Sequence, residues 1–155
     1  MNTRRLAPVA LAAAAMLGLA GCSMISPQAT TIPYSAADGV NIPSNGPLAV
    51  RNALFVSNED GSASNFLAAI VNDTDDPHTL VVTAGGDTQR VTLPARSEVS
   101  LGFDGEDPLL FEGLDAAPGT NPKVTFDMGD GEAVEHSVPV LDGGLTYLEE
   151  FVPES

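Results

Sequence analysis

Residues 47–141 alternate between short apolar runs and turn-forming residues, at a spacing of roughly ten residues. The apolar runs predict eight β-strands, at 48–57, 65–73, 79–84, 89–94, 98–103, 108–114, 123–128 and 133–141. The connections are rich in Gly, Pro, Asp and Asn, which favour turns, and no segment shows the period of an amphipathic helix. The pattern therefore predicts an all-β fold, an immunoglobulin-like antiparallel β-sandwich of about seven to eight strands.

The last predicted hairpin carries two alternating sets of residues, Val124, Phe126 and Met128 before the turn and Val134, His136 and Val138 after it. A three-residue loop at 130–132 pairs Phe126 with His136 and places both sets on one face of the sheet. A two-residue turn places them on opposite faces. Because the burial of one face selects the register strongly, we predict the three-residue loop, with His136 on the apolar side.

The only cysteine, Cys22, follows an uncharged run from Leu6 to Ala20 and two arginines, Arg4 and Arg5. The run is shorter than the about 20 apolar residues that a transmembrane helix needs. A basic start, an apolar middle and small residues at the end are typical of a secretory signal peptide. The sequence thus predicts an exported protein.

Leu19, Ala20 and Gly21, directly before Cys22, resemble a bacterial lipobox. The resemblance implies that Cys22 is lipidated, that cleavage occurs before it, and that the lipid holds the protein on the outer face of the plasma membrane. The alternative is an ordinary signal peptide that ends near a free thiol. With Cys22 lipidated, the folded part has no thiol for a disulfide, a metal or nucleophilic catalysis.

Three segments follow from these patterns: a lipoprotein signal peptide at 1–21, the lipidated cysteine with a Pro/Ser/Thr tether at 22–46, and a β-sandwich domain at 47–155. A tether of this length reaches roughly 25–30 Å as a flexible coil. Within it, the stretch "ADGVNI" at 37–42 is a candidate for packing on the domain. The tail at 146–155 is expected to be a last extended piece or a frayed end.

The chain is strongly acidic, with six Lys plus Arg against 21 Asp plus Glu and a net charge of −15. Removal of Arg4 and Arg5 with the signal peptide changes this to −15 − 2 = −17. Such a surface repels phosphate backbones and anionic lipid headgroups, which argues against nucleic-acid binding and leaves the lipid as the anchor. A basic partner is compatible with the charge but is not implied by it.

No catalytic motif is present: the chain lacks a nucleophile elbow, a P-loop, a dinucleotide-binding glycine loop and an H-E-x-x-H helix. We therefore expect no enzyme, no catalytic residues and no cofactor. His136 and Met128 are the only candidates for a soft-metal site, and two ligands fall short of the three or four that such sites usually have. His78 is expected in a solvated turn, and the acidic turn at 73–76 lacks the glycine and spacing of a calcium loop.

The lipobox, the stretch "QATTIPYSAADGVN", the strand "RNALFVS" and the hairpin "AAIVNDTDDPHTLVV" resemble the actinobacterial LpqE-type lipoproteins. The resemblance implies an immunoglobulin-like sandwich outside the cell. Some members of that family are accessory subunits of the respiratory cytochrome bcc–oxidase supercomplex. The fold is also distantly similar to the periplasmic copper chaperones, but the chain has no His-Met dipeptide, and His136 is followed by Ser137 and Val138 rather than by a His-x-Met motif.

Two functions from different classes follow from these observations. The first is a non-enzymatic, lipid-anchored module that binds a membrane-protein complex, which by resemblance is the respiratory supercomplex. The second is a copper-binding or copper-delivery lipoprotein with a reduced site formed by His136 and Met128. An enzyme with an unrecognised site is a third, weaker hypothesis that would need a deep pocket with perturbed carboxylates.

Overall fold

Nine β-strands build the part of the chain that the computed structural model describes, residues 37–43, 46–103, 106–129 and 133–154. The strands are β1 (Leu48–Ser57), β2 (Ser64–Asn72), β3 (His78–Ala84), β4 (Asp87–Leu93), β5 (Ser97–Leu101), β6 (Leu109–Phe111), β7 (Lys123–Asp127), β8 (Val134–Ser137) and β9 (Val140–Leu141). A short 3-10 helix, Glu149–Phe151, follows them. The predicted signal peptide, the lipobox and Cys22 lie outside the described residues.

Two sheets pack face to face and confirm the predicted β-sandwich. One has the order β5-β2-β1-β9, with β6 pairing to β2 beyond the end of β5, and the other has the order β4-β3-β7-β8. All the strand pairs are antiparallel except β1 with β9, which run parallel. The described part of the chain contains no helix with the length and hydropathy that crossing a membrane requires.

The strand predicted at 133–141 is instead two strands that belong to different sheets. β8 pairs with β7 in one sheet, whereas β9 pairs with β1 in the other. Pro139 lies between them and has no N–H to donate to a ladder, which is why a strand does not continue through it. Its carbonyl accepts a hydrogen bond from the N–H of Phe55 in β1 (2.9 Å), so the chain joins the sheet that contains β1 at Pro139.

Four phenylalanines fill the space between the sheets. Phe55, Phe66, Phe111 and Phe126 are all fully buried. Phe66 is central, with its ring centroid 5.2 Å from that of Phe55, 6.4 Å from that of Phe111 and 6.1 Å from that of Phe126. The tilted and edge-on arrangements are those that aromatic quadrupoles favour. The interior is therefore occupied by side chains.

A β-bulge in β1 changes which of its residues face the interior. The pairing with β2 shifts by one residue between Arg51 and Leu54, and Asn52 has a positive φ of 50°. Val50 before the bulge and Ala53 after it both join the main core. The bulge therefore turns Leu54 to the outer face of the sheet, where it joins a second apolar cluster.

The C-terminal segment covers that second cluster. Residues 142–153, here called the strap, pass over the outer face of the β1–β2 sheet and bury Leu148 and Phe151. These two side chains pack on three strand residues, Leu54, Val56 and Leu67. The expectation of an extended or frayed tail is therefore wrong. The apolar side chains of the strap cover the outer face of this part of the sheet, while its inner face packs in the main core.

Residues 37–42 extend the edge of the same sheet, as the stretch "ADGVNI" suggested. Val40 and Ala53 form an antiparallel bridge, and the N–H of Ile42 donates to the carbonyl of Val50 (3.0 Å). The side chain of Asn52, held at the bulge, accepts a hydrogen bond from the N–H of Gly39 (2.8 Å). Packing therefore begins before residue 47, where the domain was expected to start.

The register of the β7–β8 hairpin differs from the predicted one by two residues. Phe126 pairs with Val134, and His136 pairs with Val124 rather than with Phe126. The predicted sharing of one face is correct, because a shift of two residues preserves the alternation of side chains. The predicted three-residue loop is too short: Asp127 is the last residue of β7, and the loop is longer than 130–132 alone.

Candidate functional site

The register separates the two metal-ligand candidates that the sequence singled out. His136 is half-buried opposite Val124, while Met128 is a buried core residue just past the end of β7. Four residues along a strand from Val124 to Met128 correspond to roughly 13 Å. The observed register therefore places His136 and Met128 further apart than the predicted register did, in which they were diagonal neighbours across the hairpin.

His78 is placed differently from the expectation. It is the first residue of β3 and pairs with Leu93, so it is a strand residue rather than a solvated turn residue. It has the same parity as Leu80 and Val82, which are buried, and is itself half-buried. A methyl group added to Gly129 would lie 3.5 Å from His78 Nδ1. The fold thus places His78, rather than His136, beside Gly129, the residue that follows Met128.

Among the described residues, no three His, Cys, Asp or Glu side chains converge closely enough to hold a metal ion. In the acidic turn, Asp75 accepts a 2.9 Å hydrogen bond from Nε of Arg96, with both side chains largely exposed. Thr74 and the carbonyl of Asp76 bond to the Asn72 side chain. These contacts are turn chemistry, as the sequence suggested.

A concave surface of the described domain lies along one side of the strap. A groove of about 700 Å³ separates the strap from the β1–β2 turn and the loop that follows β6. Its wall is part apolar, from Ala117, Pro118 and Val152. Three carboxylates border it, Glu59, Asp142 and Glu149. A smaller groove of about 370 Å³ continues past Glu59 to Asp60.

A third groove, of about 470 Å³, runs along the opposite side of the strap. It is bordered by Glu106, Asp107 and Glu150, and the rings of Phe103 and Phe151 meet edge to face at its base with centroids 5.2 Å apart. None of the described residues that line these three grooves is basic. The strap therefore lies between two acidic margins.

Two groups at this surface have perturbed pKa values. The hydroxyl of Tyr147 donates to the Asp38 carboxylate, and this hydrogen bond raises the pKa of Tyr147 above its ordinary value of 10.0. Hydrogen bonds from Ser62, beginning with its backbone N–H (3.0 Å), lower the pKa of Asp60 below 3.8. At neutral pH, Tyr147 thus stays protonated and joins the strap to residues 37–42, and Asp60 keeps its charge.

The described fold defines a small β-sandwich domain, and solved structures of that class match it. The copper-bound PCuAC domain from PmoF2 aligns with a TM-score of 0.51 and 13% identity, covering 65% of this chain and 97% of that one. The apo PCuAC domain from PmoF1 gives 0.51 and 20%, with 64% and 97% covered. The apo PmoF2 PCuAC domain gives 0.55 and 14%, with 68% and 97% covered.

These likenesses show a shared fold and confirm, at that level, the distant similarity to copper-chaperone sandwiches. No protein-family model matches the chain, and no curated protein is significantly similar to it. The resemblance to LpqE-type lipoproteins therefore stays a prediction.

Sequence reasoning missed the strap and its acidic grooves. Leu148, Phe151 and Val152 are spaced as apolar residues of a short helical turn, which is the one signal that could have indicated packing. Nothing in the local sequence shows that Leu54 faces outward, because that orientation depends on the bulge at Asn52. The grooves arise from segments that are distant in the chain, so no motif marks them.

Proposed function

We propose that this chain is a lipid-anchored protein on the outer face of the plasma membrane, and that its β-sandwich binds a membrane-protein partner and catalyses no reaction. The observation that carries the proposal is the attachment of residues 37–42 to β1. Residue 37, the first of this attached segment, lies 37 − 22 = 15 positions after Cys22. Fifteen residues span at most about 54 Å when fully extended, so lipidation of Cys22 keeps the domain close to the membrane.

Tethering near the membrane favours binding to membrane-protein partners over binding to soluble ones. A tethered domain meets its partner at a high effective concentration and needs little intrinsic affinity. Because the phenylalanines occupy the interior, a ligand must bind at the surface, where loops and the strap form open grooves. The partner suggested by the family resemblance is the respiratory cytochrome bcc–oxidase supercomplex.

Co-purification from native membranes tests this proposal. A tag joined after Ser155 through a flexible spacer keeps clear of the buried Pro153, and mild detergent preserves membrane complexes. We expect cytochrome and oxidase subunits to accompany the protein and to be lost with the Cys22→Ser variant. The matched control carries residues 1–36 of this chain fused to an unrelated soluble domain. Recovery of the same subunits with that fusion would assign the association to the anchor and contradict the proposal.

Copper binding is the second candidate, favoured by the structural match to a copper-bound PCuAC domain. Imidazole and thioether groups are the ligands that Cu(I) prefers. The sequence predicts His136 and Met128 as the ligands. The observed register and the position of His78 beside Gly129 make His78 an alternative nitrogen donor.

Titration with Cu(I) in the presence of a competing chelator tests the copper candidate and its ligands separately. If His136 and Met128 are the ligands, one copper ion binds per chain. Both His136→Ala and Met128→Leu then abolish copper binding, and the His78→Ala variant still binds copper. If His78 replaces His136 as the donor, the two histidine variants exchange their results. A protein that takes up no copper in excess Cu(I) eliminates this candidate without affecting the first.

A further inference from the structure

The strap is an acidic segment that covers an apolar sheet face. Its side chains Leu148 and Phe151 are 1% and 7% exposed, and they cover Leu54, Val56 and Leu67. This second cluster is separate from the main core between the sheets. Its burial favours the closed position of the strap by the ordinary hydrophobic effect.

Few polar contacts join the strap to the rest of the domain. The Asn65 amide donates to the carbonyl of Phe151 (3.0 Å), and the Tyr147 hydroxyl donates to Asp38. The backbone hydrogen bonds of residues 145–152 that the structure shows are internal, such as that from the N–H of Phe151 to the carbonyl of Leu148 (3.0 Å). Moving the strap away therefore leaves the strand ladders intact.

Charge opposes the closed position. The strap carries three carboxylates, Asp142, Glu149 and Glu150. Four others face it across the grooves, Glu59 and Asp60 on one side and Glu106 and Asp107 on the other. On the Glu59 side no basic residue of the described domain lines either groove. On the other side, Arg90 shares a further groove of about 620 Å³ with Glu106 and Asp107. The repulsion is therefore not offset locally on the Glu59 side.

We propose that the strap is a cover whose opening is controlled by ionic strength. Apolar contact closes it, like-charge repulsion opens it, and screening by salt shifts the balance toward closure. At low ionic strength the strap opens locally, before the sandwich unfolds, and exposes the apolar face formed by Leu54, Val56 and Leu67. Such sub-global opening is expected where an element makes few polar contacts and lies at a chain end.

Hydrogen exchange of the full-length protein in mild non-ionic detergent tests this proposal. The Debye length falls from about 20 Å at about 20 mM NaCl to about 4 Å at about 0.5 M, so the repulsion between exposed carboxylates is screened much more strongly at the higher concentration. We expect the amides of residues 146–152 to exchange at least about threefold faster at the lower salt concentration. Amides of β2 and β3, which open only with the whole domain, should change much less. Equal exchange of the strap at both salt concentrations would overturn the proposal.

Neutral variants separate the charge effect from the general effect of salt on apolar contacts. In the variant with Glu149→Gln and Glu150→Gln, strap exchange should slow at low salt and lose most of its salt dependence. The matched control neutralises Asp73 and Asp76 as Asn. Both lie beyond Asn72, the last residue of β2, which is five strand residues or roughly 16 Å from Leu67. If this control slows the strap equally, net charge rather than the strap margin governs opening, and the proposal fails.

Discussion

Replacement of Phe66 by Ala should lower the free energy of unfolding by about 3–5 kcal/mol, the range for truncating a fully buried phenylalanine. Phe66 is 0% exposed, and its ring contacts the rings of Phe55, Phe111 and Phe126. The substitution therefore leaves a cavity bordered by three aromatic side chains that belong to both sheets. Guanidinium denaturation of the soluble form made with Cys22→Ser measures the change.

Phe103→Ala is the matched control, since it removes the same atoms from a ring that is 41% exposed. That ring meets Phe151 at the edge of the strap, so we expect a loss of about 1 kcal/mol from the aromatic contact. Phe66→Leu retains most of the apolar volume and should fall between the two. Similar losses for Phe66→Ala and Phe103→Ala would show that the interior is not packed as described.

The strands were predictable because their signals are local. Alternating apolar residues and the Gly, Pro, Asp and Asn turns placed β1 at 48–57, as observed, and placed β2 to β7 within a few residues of their observed bounds. The break at Pro139 was also readable in principle, because proline interrupts a ladder wherever it lies. The hairpin register was not, since side-chain alternation has a period of two and cannot distinguish registers that differ by two residues.

The candidate sites depended on contacts that no local pattern encodes. Whether His136 faces Phe126 or Val124 is decided by how β8 slides along β7, and this changes its separation from Met128. The outward turn of Leu54 follows from one extra residue in β1 at the bulge, and only then do Leu148 and Phe151 have an apolar surface to cover. A composition that is acidic overall likewise does not show that carboxylates concentrate around the strap.

The two ends of the sandwich are stabilised by different interactions. At one end the strap closes an apolar surface by hydrophobic burial. At the other end the amide of Asn72, which is 1% exposed and ends β2, joins the two sheets through hydrogen bonds. Its Nδ2 donates to the carbonyls of Asp76 (2.9 Å) and Pro94 (2.8 Å), and its Oδ1 accepts from the N–H (3.1 Å) and the hydroxyl (2.8 Å) of Thr74.

Asn72→Ala should therefore destabilise the domain by about 3 kcal/mol, since several partly buried polar groups lose their partner together. Thr74→Val is the control: it removes one hydroxyl from the same network, leaves the bonds from Asn72 to Asp76 and Pro94, and should cost about 1 kcal/mol. Denaturant unfolding of both variants measures the difference. If Asn72→Ala lowers the free energy of unfolding by less than Thr74→Val does, Asn72 does not stabilise this end of the sandwich.

Asn72→Asp tests the direction of the hydrogen bonds, because it keeps the shape and the acceptor for Thr74 but loses the amide donor. A carboxylate at this buried position faces the carbonyls of Asp76 and Pro94, so its folded-state pKa should be raised above its unfolded value of about 3.9. The folded state then binds more protons than the unfolded state, and stability falls as pH rises through this range. Relative to the unmodified protein, the loss should be smaller near pH 4 than at pH 7. A loss that does not vary with pH would mean that the carboxylate reaches solvent and that Asn72 does not join the sheets by donation.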